Sequence, residues 1–387
     1  MSEGLRDIAL YVHWPFCARV CPYCDFNVVR DRGRAAAEAL AAAIGADLSG
    51  QAARLGPRRL TSIFLGGGTP SLMEPEQAAA IIEAARASFA PSPALEVTLE
   101  ANPTDAESGR FAALAAAGVS RLSLGVQSLD DEALAFLGRN HDAAAARRAA
   151  RAARAAFPRL SIDLIYALPG QDARSWRADL GDALELGPEH VSAYQLTIEA
   201  GTAFERAVAR GRWSPSDPDL AAELYEATDE TLSAAGFEAY EVSNHARSPA
   251  ARSAHNLTYW RGGDWLGVGP GAHGRITDAA GERWATRAEP AHAAYVRRVA
   301  ETGCGLSTRD RLTPEEAALE RLMMGLRTLE GVEVAEIQAL GLGASQMESL
   351  ADQGLLRMEA GRLMASGRGR AVLDRLVLEL AQTGQPG

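Results

Sequence analysis

Cys17, Cys21 and Cys24 stand within eight positions of one another in HWPFCARVCPYCDF, residues 13 to 26. A CxxxCxxC run on a loop brings three thiolates to one point, and thiolates are soft ligands suited to zinc or to iron–sulfur clusters. Structural zinc normally takes four protein ligands. The fourth cysteine, Cys304, is far off in ETGCGL, which leaves His13 to complete a zinc site. Three cysteines on a four-iron cluster instead leave one iron without a protein ligand and open to a small molecule. Three inert buried cysteines are the plain alternative, but Pro15 and Pro22 read as a loop and not as a packed core face.

The elements that must position these thiols are legible as alternation. Apolar or β-branched runs recur along the first 200 residues: DIALYVH from 7, LTSIFL from 60, LEVTLE from 95, RLSLGV from 121, LSIDLIYAL from 160 and HVSAYQLTI from 190. Each reads as a strand. Ala/Arg/Glu/Leu-rich stretches at 35–54, 75–89, 104–117, 143–156, 172–186 and 218–235 read as helices. Strand and helix alternating six times is the pattern of a parallel α/β sheet, open or curved into a barrel. In barrels the chemistry gathers on the loops at the C-terminal ends of strands. The cysteines follow the first strand, GGGTP the second, Glu100 ends the third, Gln127 ends the fourth, and Asp163 lies within the fifth. These polar residues are expected on one rim.

Composition narrows the function. Of 387 residues 47% are apolar, enough for a large core. A net charge of −11 argues against nucleic acid as the main partner. All 39 basic residues are Arg, so lysine Schiff-base chemistry is excluded. Four cysteines are too few for a disulfide scaffold, and no basic leader or apolar span is evident. A soluble cytoplasmic protein in a reducing compartment is expected.

Three regions are expected: residues 1–240 as the barrel with the cluster, 241–311 as a Gly- and Trp-rich connecting region, and 312–387 as a C-terminal module. In the last, TPEEAALERLMMGLRTL opens with a helix N-terminal signal, and two shorter helices, a hairpin and a final helix follow. The pattern is winged-helix-like. From 313 to 387 there are 7 Arg against 11 Asp plus Glu, a net −4, so a lid or packing role is expected in place of DNA binding.

The cysteine spacing, the aromatic before the last cysteine and Phe26 two residues after it resemble the radical S-adenosylmethionine (SAM) superfamily. The order YVHWPFC, GGGTP, LEANP, GVQS, LGRNH and IDLIYALPGQ is similar to the oxygen-independent coproporphyrinogen III oxidase-like subfamily, which includes a heme-chaperone branch. The resemblance implies a radical SAM partial (β/α)6 barrel with a [4Fe-4S] cluster on Cys17, Cys21 and Cys24, whose open iron is chelated by SAM. Its electron would cleave the sulfonium to a 5'-deoxyadenosyl radical. Tyr11, Gly67, Gly68, Thr69, Glu100, Gln127, Arg139 and Asp163 are implied to line the SAM site. Glycine amides are expected as donors for the methionine carboxylate, with Glu100 and Gln127 for the ammonium and ribose. Without the resemblance each is an ordinary turn, strand-end acid or surface cation.

The oxidase branch resembles CxxxCxxCxC, whereas Phe26 occupies the last place here. A start only ten residues before Tyr11 also points to the chaperone branch. HNLTYW, residues 255–260, matches an HNxxYW motif associated in that branch with heme. His255 is implied as an iron ligand, with Tyr259 and Trp260 as flat faces against the macrocycle. His273 and His245 are further candidates. A histidine capping a turn, with the aromatics on the barrel edge, is the bland alternative. Heme, hemoprotein acceptors met in some cases at the membrane, an unidentified electron donor and a homodimer are the partners the resemblance brings in. It leaves two roles for SAM: cleavage, or organisation of heme transfer and dimerisation.

Overall fold

The computed structural model describes residues 4–105 and 108–382. Six strands, β1 (Asp7–Trp14), β2 (Arg59–Gly67), β3 (Ala90–Ala101), β4 (Arg121–Gln127), β5 (Arg159–Tyr166) and β6 (His190–Gln195), pair in sequence order. All five pairings are parallel. The connecting helices Arg34–Leu55, Pro75–Ser88, Ala143–Ala156, Ala173–Glu185 and Pro218–Ala234 fall where composition placed them. The helix expected at 104–117 is described as Ser108–Ala116, with residues 106 and 107 outside the described residues.

Side-chain alternation gives the sheet two chemically different faces. Leu10, Val12, Ile63, Leu65, Val97, Leu99, Leu122, Leu124, Ile162, Leu164 and Val191 join the main hydrophobic core with the helices. The helix Ala143–Ala156 contributes only methyl groups, Ala146, Ala149, Ala150 and Ala153, which lets it lie close to the strands. The intervening positions are polar: Tyr11 and His13 on β1, Glu96, Thr98 and Glu100 on β3, Arg121, Ser123 and Gln127 on β4, Ser161 and Asp163 on β5, His190 and Ser192 on β6. This inner face is where the chemistry-bearing residues lie.

The sheet does not end with these six. Trp265–Val268 pairs parallel with β1, and His273–Thr277, Arg283–Ala288 and Leu306–Arg311 extend it antiparallel, while Asn244–Ala246 and Glu238–Ala239 add antiparallel to β6, giving twelve strands. Residues 265–311 therefore share one sheet and one core with the parallel strands; Leu266, Val268 and Ile276 sit in it. The C-terminal residues form a second core around Leu322, Leu326, Ile337, Leu350, Leu363 and Leu376. There the helix Pro314–Leu326 opens with a Thr313/Glu316 capping box, and Val332–Glu333 adds a third strand to the expected hairpin. Among the described residues no helix is long and apolar enough to cross a membrane.

Candidate functional site

One cavity of about 600 Å³ opens on the inner face at the C-terminal ends of the strands. Cys17, Cys21 and Cys24 border it, together with Tyr11, Gly67, Gly68, Glu100, Gln127, Arg139, Asp163, His255 and Tyr259. Residues up to 248 positions apart in sequence thus share one wall, because each closes a strand or the loop or helix beside it. Thr69 and Trp260 do not line it.

The cysteine loop is held at its base by His13. Its Nε2 lies 2.9 Å from the Asn27 carbonyl and its Nδ1 lies 3.0 Å from the Tyr11 hydroxyl. Burial pushes the imidazole pKa down, so the ring is neutral: Nε2–H donates to the carbonyl and Nδ1 accepts from Tyr11. With both nitrogens engaged, His13 is not available as a fourth zinc ligand. Asn27 then donates to the Pro270 and Pro290 carbonyls at 2.8 and 2.9 Å, tying the far side of the loop to the extended sheet.

Among the described residues no three Cys, His, Asp or Glu side chains gather at the spacing of a single metal ion. Ligands of one tetrahedral zinc must crowd within about 4 Å of each other, whereas cubane cysteines each hold a different iron and stand further apart. The Cys24 thiol is pushed up to about 11, by burial first and then by Cys21 and Cys17. Binding to iron displaces such a proton into solvent, because the thiolate is the ligating form. This donor set fits a [4Fe-4S] cluster held by three cysteines.

The polar wall opposite is built from buried groups. Glu100 Oε2 accepts from the Gly67 amide at 2.9 Å, and Ser123 Oγ donates to Asp163 at 2.9 Å, with Ser161 at 3.2 Å. Burial, then the Asp163 charge, pushes Glu100 up to about 7. Burial also raises Asp163, against hydrogen bonds from its serine neighbours. Gln127 ends β4 with φ 68°, a left-handed conformation that favours glycine, held here at the strand end. Arg139 donates to Cys21 Sγ and Tyr23 Oη, each at 3.3 Å, and to Asn102 Oδ1 and the Gly125 carbonyl. Its Nε is buried with no partner. The guanidinium as a whole borders the cavity, and its charge fits an anionic group there.

The raised Glu100 pKa has a definite sign. From about 4.5 to about 7 the unfolded chain ionises this carboxyl while the fold keeps it protonated, so stability contributed by Glu100 falls as pH rises through that window. Thermal melts of the ligand-free protein should show this fall, and Glu100→Gln should make it shallower, the raised Asp163 keeping its own share; an equal slope in both proteins would contradict the assignment.

Three expectations are corrected by the structure. The amides of GGGTP are not free donors: Gly67 N–H reaches Glu100, Gly68 N–H the Trp14 carbonyl at 2.7 Å, and Thr69 N–H the Phe16 carbonyl at 2.9 Å. Thr69 is buried and its Oγ1 accepts from Asn102. The glycines serve close approach: a Cβ on Gly68 would stand 2.8 Å from the Trp14 and Phe16 carbonyl oxygens. Gly68→Ala must therefore displace the cysteine loop, and iron retained after anaerobic reconstitution should fall; unchanged iron content would show that the loop yields freely.

The second concerns the element that carries His255. The residue lies in the helix Ala254–Trp260 and not in a loop, 1% exposed, with Nδ1 2.9 Å from Ser62 Oγ and Nε2 2.6 Å from Tyr259 Oη. Burial and Arg121 push its pKa down to about 3. The turn is capped by Ser253, and the Ala254 and His255 amides donate to Glu96. The third is Trp260, which faces the C-terminal residues with the Arg327 guanidinium 4.7 Å from its ring centroid. Asn102, which bridges Thr69 and Arg139, was within the LEANP stretch but not singled out; its place just past Glu100 at a strand end was the available signal.

A partial barrel with three cysteines after its first strand, facing a polar inner wall, defines the class of radical SAM proteins, and residues 11–183 match the Radical SAM superfamily. Residues 312–372 match the HemN C-terminal domain. The mitochondrial protein named Radical S-adenosyl methionine domain-containing protein 1 from Bos taurus is 43% identical over 98% of this chain and 88% of its own. Heme chaperone HemW of Mycobacterium tuberculosis is 38% identical over 97% and 95%, and that of Escherichia coli K12 40% identical over 70% and 71%. The chain belongs to this family of radical SAM proteins, which joins HemW and its mitochondrial counterparts. The solved structure of the Escherichia coli coproporphyrinogen III oxidase HemN shares the fold, with a TM-score of 0.81 at 21% identity over 99% of this chain and 92% of that one.

Proposed function

We infer that this chain is a heme chaperone that carries a [4Fe-4S] cluster on Cys17, Cys21 and Cys24 and binds SAM beside it. The observation that carries the cofactor part is the single cavity shared by the three thiols and by Glu100, Gln127, Arg139 and Asp163. The names of relatives at 38% and 40% identity support the heme part. When bound, the cluster supplies an electron and an open iron for the amino-acid end of SAM. The residues would do the rest: Glu100, once ionised, would pair with the ammonium, the Arg139 guanidinium would offer its charge to the carboxylate, and Asp163 and Gln127 would take ribose hydroxyls. Tyr11, hydrogen-bonded to His13, would form part of the wall.

Phe26, 60% exposed at the cavity rim, offers neither a ligand nor a proton where the oxidase branch has cysteine. This favours carrying a porphyrin over oxidising one. Reconstituted protein given coproporphyrinogen, SAM and a reductant should form no protoporphyrinogen while binding heme saturably. Protoporphyrinogen made over many turnovers would replace this reading with the oxidase.

A further inference from the structure

A cation taken out of water is stable in a fold only when a counter-charge or a set of acceptors receives it. Arg121 departs from that rule. It opens β4, is 2% exposed, and lines the cavity. Its Nε is buried with no hydrogen-bond partner. Among the described residues no carboxylate stands within ion-pair distance of it, whereas Arg159, its neighbour across the β4–β5 ladder, is taken by Glu96 at 2.6 Å and Glu189 at 2.7 Å. On the other side, Thr98 of β3 is paired with Arg121, and its buried Oγ1 also lacks a partner. Two unsatisfied polar groups side by side on one face point to a partner that the protein itself does not supply.

The carboxyls of the same wall are engaged elsewhere. Glu100 accepts from the Gly67 amide, and Asp163 accepts from Ser123 and Ser161. Arg139 stands at a different level of the cavity: it bonds the carbonyl of Gly125, four residues along β4. At the rise of a strand that separates the two positions by roughly 13 Å. Arg139 and the cysteines therefore serve the rim, at the C-terminal ends of the strands, and Arg121 serves the floor. The helix Ala254–Trp260 borders the same cavity through His255, Asn256 and Tyr259.

Resting on the heme reading above, we propose that Arg121 is a carboxylate-binding residue at the cavity floor and that it takes a propionate of the cargo heme while SAM occupies the rim. A guanidinium meets a carboxylate through two parallel N–H donors, and burial strengthens the pair because little water competes for either partner. The carboxylate of SAM offers the same chemistry, but Arg139 at the level of the cysteines already provides for it.

The test compares heme with its dimethyl ester, and SAM with decarboxylated SAM, each titrated into the anaerobically reconstituted full chain, wild type and Arg121→Gln. Wild type should bind heme about tenfold or more tightly than the ester. Arg121→Gln should weaken heme by a similar factor and leave the ester and both SAM compounds unchanged, and Arg121→Lys should recover part of the loss. The wild-type comparison of acid with ester stands even where a variant folds poorly. Equal affinity of wild type for heme and its ester overturns the propionate assignment while leaving heme binding in place. A loss confined to SAM, absent with decarboxylated SAM, moves the carboxylate to SAM and likewise overturns it. Heme and SAM affinities both unchanged in Arg121→Gln overturn the carboxylate site altogether. Wild-type protein that takes up no heme overturns the propionate assignment together with the chaperone reading.

Discussion

Cys21→Ala is expected to emerge from anaerobic reconstitution with most of its iron and sulfide gone and no charge-transfer absorption near the visible. On the proposed ligation each of three thiolates holds one corner of the cluster, and neither His13 nor Cys304 stands by as a substitute: His13 is locked by Tyr11 and Asn27, and Cys304 is buried near the Asp47 network. Arg139 would lose a thiolate acceptor as well. Cys17→Ala and Cys24→Ala should behave alike. Cys304→Ala is the control and should keep full iron, because Cys304 lines no part of the cavity. Iron retained by Cys21→Ala at the wild-type level would remove this thiol from the ligand set.

The largest stability effect is expected at Glu96. Its side chain is 2% exposed and accepts from Arg159 Nη1 at 2.6 Å and from the Ala254 and His255 amides at 3.2 Å each. One carboxylate thus clamps β3, β5 and the start of the helix that carries HNLTYW. Glu96→Ala leaves two helix amides and a partly buried guanidinium short of an acceptor. Removing one partner of such a pair costs on the order of 3–5 kcal/mol, discounted here because Arg159 keeps Glu189 at 2.7 Å. At about 3 kcal/mol the melting temperature of a chain this long falls by roughly 4 °C. Glu96→Gln, which keeps the acceptor oxygen, should recover part of the loss. A melting temperature unchanged in Glu96→Ala would show that the clamp contributes nothing.

Much of this was legible in the sequence because it depends on local pattern. The apolar and β-branched runs marked six strands, and unusual residues at strand ends marked one rim. Glu100, Gln127, Arg139 and Asp163 do border one cavity with the three cysteines, as that placement implied. What the sequence withheld depends on long-range pairing. Nothing in WLGV shows that Trp265–Val268 will lie parallel beside β1, more than 250 residues earlier, since register is decided by which buried faces meet. The use of the GGGTP amides could not be read either, because their acceptors, the Trp14 and Phe16 carbonyls and Glu100, come from other elements. The surroundings of HNLTYW were hidden in the same way: the Ser62 hydroxyl that meets His255 comes from β2, nearly 200 positions earlier in the chain.

The most direct measurement is the EPR spectrum of the reduced, anaerobically reconstituted protein with and without SAM. A cubane signal that changes on adding SAM is the predicted result, because on the proposed ligation one iron carries no protein ligand and SAM would complete it. A protein that holds zinc in place of iron, or a cubane whose spectrum is identical with and without SAM, would contradict the open iron on which the reading of this cavity rests.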